Sequence, residues 1–294
     1  MSFKKFNKIC NDIKKVKIQG AENIAKAVLE ALKIKNDKNA IKKLISLRPT
    51  EPAVRNTIAK ILEKIEKGLS WEKAIEEMKE YFEISDKKIC EYGERIIENN
   101  SIIYTHCHSS TVEKTLKFAK KLGKNFTVYI TETRPLFQGR ITAENLAKAG
   151  IKVVLGVDSN AFNFLKKADM FLFGADAITS EGDIINKIGT AMFTEIAQKL
   201  NVPCYCLSLS IKYDPITRYG YQEEIEQRPA KEIWNKKIKN LKIVNPAFEI
   251  VKAKNINAII SEYGILAPTA FVEIANKEFD IKKLTSLKNG LWRI

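Results

Sequence analysis

A cysteine between two histidines is the first place in this sequence where chemistry could occur. Residues 101–111, S-I-I-Y-T-H-C-H-S-S-T, begin as a short apolar strand that ends at Cys107, and a helical pattern follows directly. A strand that turns into a helix places its turn at the carboxyl edge of a sheet, where open α/β proteins bind ligands. The unpaired amides of the first helical turn can hold a phosphate and favour a thiolate nearby. The segment offers a candidate nucleophile or base beside a candidate anion site, although such a cysteine often only packs.

The two histidines of the chain, His106 and His108, flank this cysteine and suggest a metal site. A zinc ion would need three ligands that converge on it. Because side chains alternate along a strand, we expect the two histidines on one face and Cys107 on the other. We therefore predict no metal site. The sequence also contains neither G-x-G-x-x-G nor G-x-x-x-x-G-K-[ST], so neither a dinucleotide nor a P-loop is indicated.

Polar turns follow the predicted strands at several other places, in the segments T-E-T-R-P-L-F-Q-G-R, G-A-D-A-I, E-G-D-I-I-N-K-I-G-T and S-L-S-I-K-Y-D-P. Strand ends of a doubly wound sheet converge on one crevice. Cations that grip phosphates, together with an acid and a base, suit a phosphorylated sugar or a similar anion. Each residue alone could equally close a turn or cap a helix, so the convergence carries the prediction. The polar side chains offered are Cys107, Arg134, Asp176, Asn186, Lys187 and Lys212.

The elements that must position these residues change character near residue 100. Before it, the spacing predicts helices at 21–35, 36–47 and 52–67, and one that begins after Ser70 and breaks near Ser85 and Asp86. After it, apolar runs alternate with helical patterns, which favours parallel strands with crossover helices. The predicted strands are 102–107, 126–131, 153–157, 170–173, 202–207 and 258–260, and the helices are 112–122, 143–149, 160–167 and 191–200.

The predicted fold class is therefore α/β, with two domains. Residues 1–100 form a helical N-terminal domain, and residues 101–294 form a Rossmann-like α/β domain with a doubly wound, mainly parallel sheet.

Composition narrows the cellular setting and the partners. The chain carries 50 Lys and Arg against 35 Asp and Glu, a formal charge of +15. This balance suggests anionic partners, yet the lysines are spread along amphipathic helices, so a solvated face is the simpler interpretation. Five cysteines without C-x-x-C spacing indicate a reducing, cytoplasmic setting. With no long apolar run and no signal-peptide core, we expect no membrane partner. Because the lysines form neither a tail nor a run, we also expect no nucleic-acid partner.

Five motifs together resemble a known superfamily: T-H-C-H-S, T-E-T-R-P-L-F-Q-G-R-I-T-A-E-N-L, G-A-D-A-I-T-S-E-G-D-I-I-N-K-I-G-T, V-N-P-A-F-E and I-I-S-E-Y-G. It contains the alpha, beta and delta subunits of eukaryotic translation initiation factor 2B, the methylthioribose-1-phosphate isomerases and the archaeal ribose-1,5-bisphosphate isomerases. The resemblance covers most of residues 101–275 and is weaker earlier, where I-Q-G-A and L-R-P-T carry it. The segment S-I-K-Y-D-P is most similar to that of the ribose-1,5-bisphosphate isomerases.

The resemblance implies a catalytic pair, Cys107 and Asp176, which the regulatory translation-factor subunits generally lack. Two departures stand out. Gln19 replaces the arginine that is usual in the family, so one phosphate contact is either lost or replaced by a nearby lysine such as Lys17, and His108 replaces a common asparagine. The implied substrate-binding residues are Gln19, Gly20, Ala21, Arg48, Ser109, Ser110, Thr111, Asn186, Lys187 and Lys212.

The implied activity is an isomerase that converts α-ribose 1,5-bisphosphate to ribulose 1,5-bisphosphate. Asp176, protonated in an apolar, closed pocket, would donate to the ring oxygen, and the Cys107 thiolate would take the C2 proton to give a phosphoenolate. No metal or organic cofactor is expected. The resemblance also implies AMP and nucleotide salvage that feeds Rubisco, and a dimer-based homo-oligomer as large as a hexamer, and it leaves a nucleotide activator open. The alternatives are a methylthioribose-1-phosphate isomerase and a non-catalytic regulatory subunit that binds a translation factor.

Overall fold

The computed structural model describes residues 2–15, 17–18, 20–48, 51–221 and 225–289, and helices fill its first third. The three earliest predicted helices are confirmed as α2, α3 and α4, with ends within two residues of the prediction. Asp37 caps α3, because its side chain accepts a hydrogen bond from the Ala40 N–H at 2.8 Å. The helices before the first strand are α1 (Ser2–Lys14), α2 (Ala21–Ile34), α3 (Lys38–Ser46), α4 (Pro52–Glu66) and α5 (Trp71–Arg95).

Helix α5 is continuous over 25 residues, so the predicted break near Ser85 and Asp86 is wrong. Ser85 is buried, and the Asp86 carboxylate accepts hydrogen bonds from the Lys26 and Lys114 ammonium groups at 3.3 and 2.6 Å. Ser and Asp disfavour a helix interior when their side chains compete for its backbone. Here the Asp86 side chain is held by neighbouring helices, and the α5 backbone continues undisturbed.

Strands and further helices alternate after α5. The strands are β1 (Ile102–Thr105), β2 (Thr127–Thr131), β3 (Lys152–Gly156), β4 (Met170–Gly174), β5 (Ala177–Thr179), β6 (Ile184–Lys187), β7 (Cys204–Leu207), β8 (Tyr213–Asp214), β9 (Phe248–Val251), β10 (Ala258–Ser261) and β11 (Gly264–Leu266). The helices are α6 (Ser110–Lys121), α7 (Gln138–Lys148), α8 (Ala161–Leu165), α9 (Thr190–Lys199), α10 (Pro268–Ala275) and α11 (Ile281–Lys288).

The main sheet has seven strands in the order β11-β10-β7-β4-β1-β2-β3. All neighbouring pairs are parallel except β10 and β11, which run antiparallel at one edge. The chain first builds outward from β1 through β2 to β3, then returns to the other side of β1 with β4, β7 and β10. This is the doubly wound order, and it reverses between β1 and β4. The predicted fold class is confirmed, and every predicted strand end lies within two residues of the observed one.

A second sheet of four short strands, in the order β8-β5-β6-β9, was not predicted. Its strands are two to four residues long and are separated by glycine and aspartate, so their sequence pattern resembles turns. Asn186 and Lys187 therefore lie on β6, paired with β9, and not in a turn.

One apolar core joins the N-terminal helices to the main sheet. It runs without interruption from Leu29 of α2 and Phe82 of α5 to Tyr104 and Phe171 of the sheet and Phe271 of α10. Among the described residues, none of the helices combines the length and the apolar character that crossing a bilayer would require.

Candidate active site

Cys107 and Asp176 lie just beyond the ends of β1 and β4, the two strands between which the strand order reverses. A doubly wound sheet forms its ligand crevice at this point, beyond the carboxyl ends of the strands. Both side chains line one cavity there. Its other predicted members are Gly20, Ala21, Arg48, Ser109, Ser110, Asn186, Lys187 and Lys212.

Strand β1 ends at Thr105, so the argument from alternating side chains was wrong for the residues that follow. Cys107 has a left-handed backbone with φ of 67°, which is uncommon for a residue with a side chain. Two threonines hold this bend: Thr133 Oγ1 accepts from the Cys107 N–H at 3.0 Å, and the Thr142 hydroxyl donates to the Cys107 carbonyl at 3.2 Å. The thiol therefore sits on a fixed turn.

The two histidines have different surroundings. His106 is buried, and its Nε2 lies 3.1 Å from the Ile188 carbonyl while its Nδ1 lies 2.9 Å from Thr131 Oγ1. Since a carbonyl can only accept, Nε2 carries the proton, and His106 ties the end of β1 to the loop after β6. His108 lines the cavity, with Nδ1 2.9 Å from Thr142 Oγ1.

The candidate anion site lies at the start of α6. Ser109 caps this helix by accepting a hydrogen bond from the Val112 N–H at 3.4 Å. A Cβ atom added to Gly174 would stand 2.4 Å from Ser109 Oγ, so only glycine at the end of β4 allows the helix to approach this closely. Thr111 lies beneath the first turn, buried and outside the cavity lining, and its hydroxyl has no hydrogen-bond partner among the described residues.

Three of the cations that line the cavity were predicted, and they come from three different parts of the chain. Lys187 comes from β6, and its ammonium lies 5.3 Å from the centre of the Phe248 ring. Lys212 is buried and donates to the Ala175 carbonyl at 2.8 Å. Arg48, between α3 and α4, brings the third positive charge. These charges are concentrated where a phosphorylated ligand would need them.

Asn56 of α4 fixes the position of Lys212. Its amide nitrogen donates to the carbonyls of Ile211 and Tyr213 at 2.8 and 2.6 Å, the residues on either side of Lys212. All three groups are buried, so the N-terminal helices position this lysine through backbone contacts.

Burial raises the pKa of both candidate catalytic groups. It raises the pKa of Cys107 to about 11, although Lys187 and the His108 N–H act in the opposite direction. The backbone N–H next to the helix start therefore favours the thiolate as expected, but burial outweighs it and leaves the pKa of Cys107 raised. Burial also raises the pKa of Asp176, against the lowering effect of Lys212, Lys187 and Arg48. A raised pKa is what a carboxyl group needs to act as an acid near neutral pH.

Among the described residues, Lys17, Arg134 and, as noted above, Thr111 were considered from the sequence but do not line this cavity. Gln19 lies outside the described residues. Lys17 is exposed, 3.7 Å from Asp12, and is not among the residues that line the cavity. Arg134 is exposed and donates to the Ile233 carbonyl at 3.3 Å, so it points to a different surface.

The cavity also contains residues that the sequence reasoning missed, namely Glu22, Asn23, Glu51, Leu136, Gln138, Glu226, Arg228, Ala247 and Phe248. Glu51 could have been found, since it stands beside Arg48 in the segment R-P-T-E-P and directly precedes α4. Glu226 and Arg228 belong to an irregular stretch whose sequence has no periodic pattern, so no local signal pointed to them.

With this geometry in place, the similarities to known proteins define the class. Residues 11–268 match the initiation factor 2 subunit family. The chain therefore belongs to this family. The fold matches that of a translation initiation factor eIF-2B from Pyrococcus horikoshii, with a TM-score of 0.80, 24% identity and coverage of 91% of this chain and 98% of that one.

The sequence relatives are enzymes. A ribose 1,5-bisphosphate isomerase from Pyrococcus furiosus is 35% identical over 92% of this chain and 93% of its own length. A methylthioribose-1-phosphate isomerase from Caldanaerobacter subterraneus is also 35% identical, over 80% of this chain and 75% of its own length. The chain is an isomerase of this family.

Proposed function

We propose that this protein converts α-ribose 1,5-bisphosphate to ribulose 1,5-bisphosphate, with Cys107 and Asp176 as the proton-transfer pair. One observation carries the proposal: the two residues follow the strands between which the sheet order reverses, and they share a cavity with Arg48, Lys187 and Lys212. A thiol and a carboxyl group supply the base and the acid, and the cations suit a substrate with two phosphates. The Pyrococcus furiosus relative, named for this substrate, supports the choice.

In the proposed reaction, Asp176 protonates the ring oxygen while the bond between C1 and that oxygen breaks. Cys107 removes the C2 proton, and the electron pair forms the C1–C2 double bond of a phosphoenolate. The Cys107 proton then returns to C1, the C2 hydroxyl becomes a carbonyl, and its proton restores Asp176. Each group ends in its starting state, so no external acid or base is consumed.

The protonation states set a condition on this mechanism. The resting protein keeps Cys107 as a thiol near neutral pH, because burial raises its pKa to about 11. The Asp176 carboxylate raises that pKa further, so protonation of Asp176 makes the thiol easier to ionise. We propose that transfer of the thiol proton to Asp176 creates the active form, with no change in the net charge of the site.

The substrate-binding roles follow from the same geometry. We propose that the amides at the start of α6, including that of Thr111, hold one phosphate together with the side chains of Ser109 and Ser110. Arg48, Asn186, Lys187 and Lys212 would bind the other phosphate and the sugar hydroxyl groups. Gln19, Gly20 and Ala21 would contact the substrate from the N-terminal side. No cofactor is part of this proposal.

We place the enzyme in the cytoplasm, in AMP and nucleotide salvage that supplies Rubisco. We also propose a dimer-based homo-oligomer and keep open activation by a nucleotide. A specific observation favours the second candidate activity, isomerisation of methylthioribose 1-phosphate, because a relative with that name is equally similar where it aligns.

A turnover assay tests the proposal. Purified protein is supplied with α-ribose 1,5-bisphosphate, and ribulose 1,5-bisphosphate is measured, beside Cys107→Ser and Asp176→Asn. We expect turnover in the native protein, and we expect each variant to lower the turnover rate by about 10²-fold to 10⁴-fold. Turnover of methylthioribose 1-phosphate alone would change the assigned substrate to that compound. If folded protein turned over neither sugar, the proposed catalytic activity would be contradicted and a regulatory subunit would be favoured.

A further inference from the structure

Arg48 and Glu51 form an incomplete ion pair in the wall of the active-site cavity. Arg48 Nη2 lies 2.5 Å from Glu51 Oε1 and 3.3 Å from Glu226 Oε2. Glu51 is only 2% exposed and directly precedes α4. Its second oxygen, Oε2, and the Arg48 Nε are both buried, and neither has a hydrogen-bond partner among the described residues.

This pattern differs from a bidentate arginine–carboxylate pair. In a bidentate pair, two N–H groups of the guanidinium donate to the two carboxylate oxygens, so both oxygens have a partner. Here one contact is made, and a buried donor and a buried acceptor remain unpaired. An unpaired buried polar group destabilises the protein, so such a group usually has a partner in the functional state. A ligand that completes both positions would remove this cost.

A phosphoryl oxygen is an acceptor, so it can pair with the Arg48 Nε–H but not with a bare carboxylate oxygen. It can pair with Glu51 Oε2 only if that oxygen carries a proton. We propose that Glu51 is a proton-linked phosphoryl-binding residue, which takes up a proton when the substrate phosphate binds Arg48 and donates it in a hydrogen bond to that phosphate. This inference deepens the proposed function, since it concerns the same substrate and the same site.

The charges around Glu51 agree with proton uptake. Burial raises the pKa of Glu51 to about 7, Arg48 and Lys212 lower it, and Asp176 raises it. Because a phosphate adds negative charge beside Glu51, its binding raises that pKa further and draws in a proton.

Two further groups complete the charged surroundings of Glu51. Glu226 is the second carboxylate, and its Oε2 contacts the same Arg48 Nη2 that pairs with Glu51. One turn along α4, Arg55 lies 2.8 Å from Asp214, so that carboxylate has a cation of its own.

The first test is the pH dependence of KM for Glu51→Gln, which keeps the shape and a donor but cannot titrate. For the native protein, we expect KM to rise roughly five-fold between pH 7 and pH 8, because the binding form of Glu51 is lost. For Glu51→Gln, we expect a change of less than about two-fold over this interval. Glu226→Gln is the matched control: it removes the other carboxylate on Arg48, and the pH slope of its KM should stay that of the native protein. An equal slope in Glu51→Gln would overturn the inference.

Calorimetry separates this inference from the choice of substrate. Cys107→Ser protein, with and without Glu51→Gln, is titrated with ribose 1,5-bisphosphate and with pyrophosphate in two buffers of different ionisation enthalpy. We expect proton uptake with Glu51 present and its loss with Glu51→Gln. Proton uptake on binding of pyrophosphate, with no binding of ribose 1,5-bisphosphate, would contradict the proposed substrate but support the role of Glu51. Binding without any Glu51-dependent uptake, or binding of neither ligand, would overturn the role itself.

Discussion

Cys107 combines a fixed position with a suppressed ionisation. The left-handed turn that holds it was not visible in the sequence, because φ at a cysteine has no local signature. Its position after a strand and before a helix was predictable, since apolar runs and helical spacing identify both neighbours. The pKa of Cys107 was not predictable from the sequence, because its burial depends on residues from distant parts of the chain. The identity of the thiol was therefore easier to predict than its state.

The suppressed ionisation predicts slow alkylation of Cys107 by iodoacetamide. With a pKa raised from 9.0 to about 11, the rate should rise about ten-fold for each pH unit between 7 and 10, since only the thiolate reacts. Lys187 lowers this pKa and Asp176 raises it, so Lys187→Met should slow the reaction and Asp176→Asn should accelerate it. Mass spectrometry of the peptide that contains Cys107 measures the rates. The same direction of change in both variants would refute this electrostatic account.

The helices α2, α5 and α6 meet at a buried group of charges beside the anion site. Glu22 is 1% exposed and accepts hydrogen bonds from Lys26 at 2.5 Å, Lys114 at 2.7 Å and the Ser110 hydroxyl at 3.1 Å. Burial alone would raise the pKa of Glu22, but Lys114 and Lys26 more than offset it and lower the pKa from 4.5 to about 2. This carboxylate connects the start of α2 to the first turn of α6.

We expect Glu22→Gln to destabilise the protein by about 1–3 kcal/mol at pH 7, because Lys26 and Lys114 lose one of their two carboxylate partners and keep only Asp86. The lowered pKa means that the carboxylate contributes stability above pH 4.5 and loses it as the pH falls towards 2. The difference between native protein and variant should therefore shrink through that window. Urea unfolding at several pH values measures it. Glu144→Gln, which breaks an exposed pair with Lys148, is the control and should leave the free energy of unfolding nearly unchanged, because solvent screens that pair.

Elements with a strong period were predictable, and short ones were not. All six parallel strands of the main sheet appeared in the sequence as apolar runs. The second sheet was not predicted, because β8 has two residues and β5 has three, which are too few to show an alternating pattern. Lys187 was assigned to the site for its strand-end setting, yet β6, which carries it, belongs to this unpredicted sheet. The sequence therefore predicted Lys187 as a site residue but did not predict β6, the strand that positions it.

At the scale of the whole molecule, the N-terminal helices and the sheet share one core and one cavity. We propose that residues 1–100 and 101–294 are domains in a functional sense, the first supplying Arg48 and the positioning contacts of Asn56 to the second. The shared core implies that they unfold together.

A single cooperative transition is the expected outcome of thermal or denaturant unfolding. Trp71 lies in α5 and Trp234 in the irregular stretch before β9, so their fluorescence reports on both parts of the chain. Fluorescence and far-ultraviolet circular dichroism should give coincident curves at fixed protein concentration. Separate midpoints for Trp71→Phe and Trp234→Phe proteins would show that the two parts unfold independently.

The strand-end placement of Cys107 and Asp176 has a consequence for how such proteins diversify. Neither side chain belongs to the apolar core, so replacing both leaves the packing of the sheet and helices intact. The pocket and its cations would survive as a receptor that still binds the proposed substrate but no longer transforms it. Two substitutions, at Cys107 and Asp176, would therefore be enough to convert such an enzyme into a metabolite sensor with the same fold.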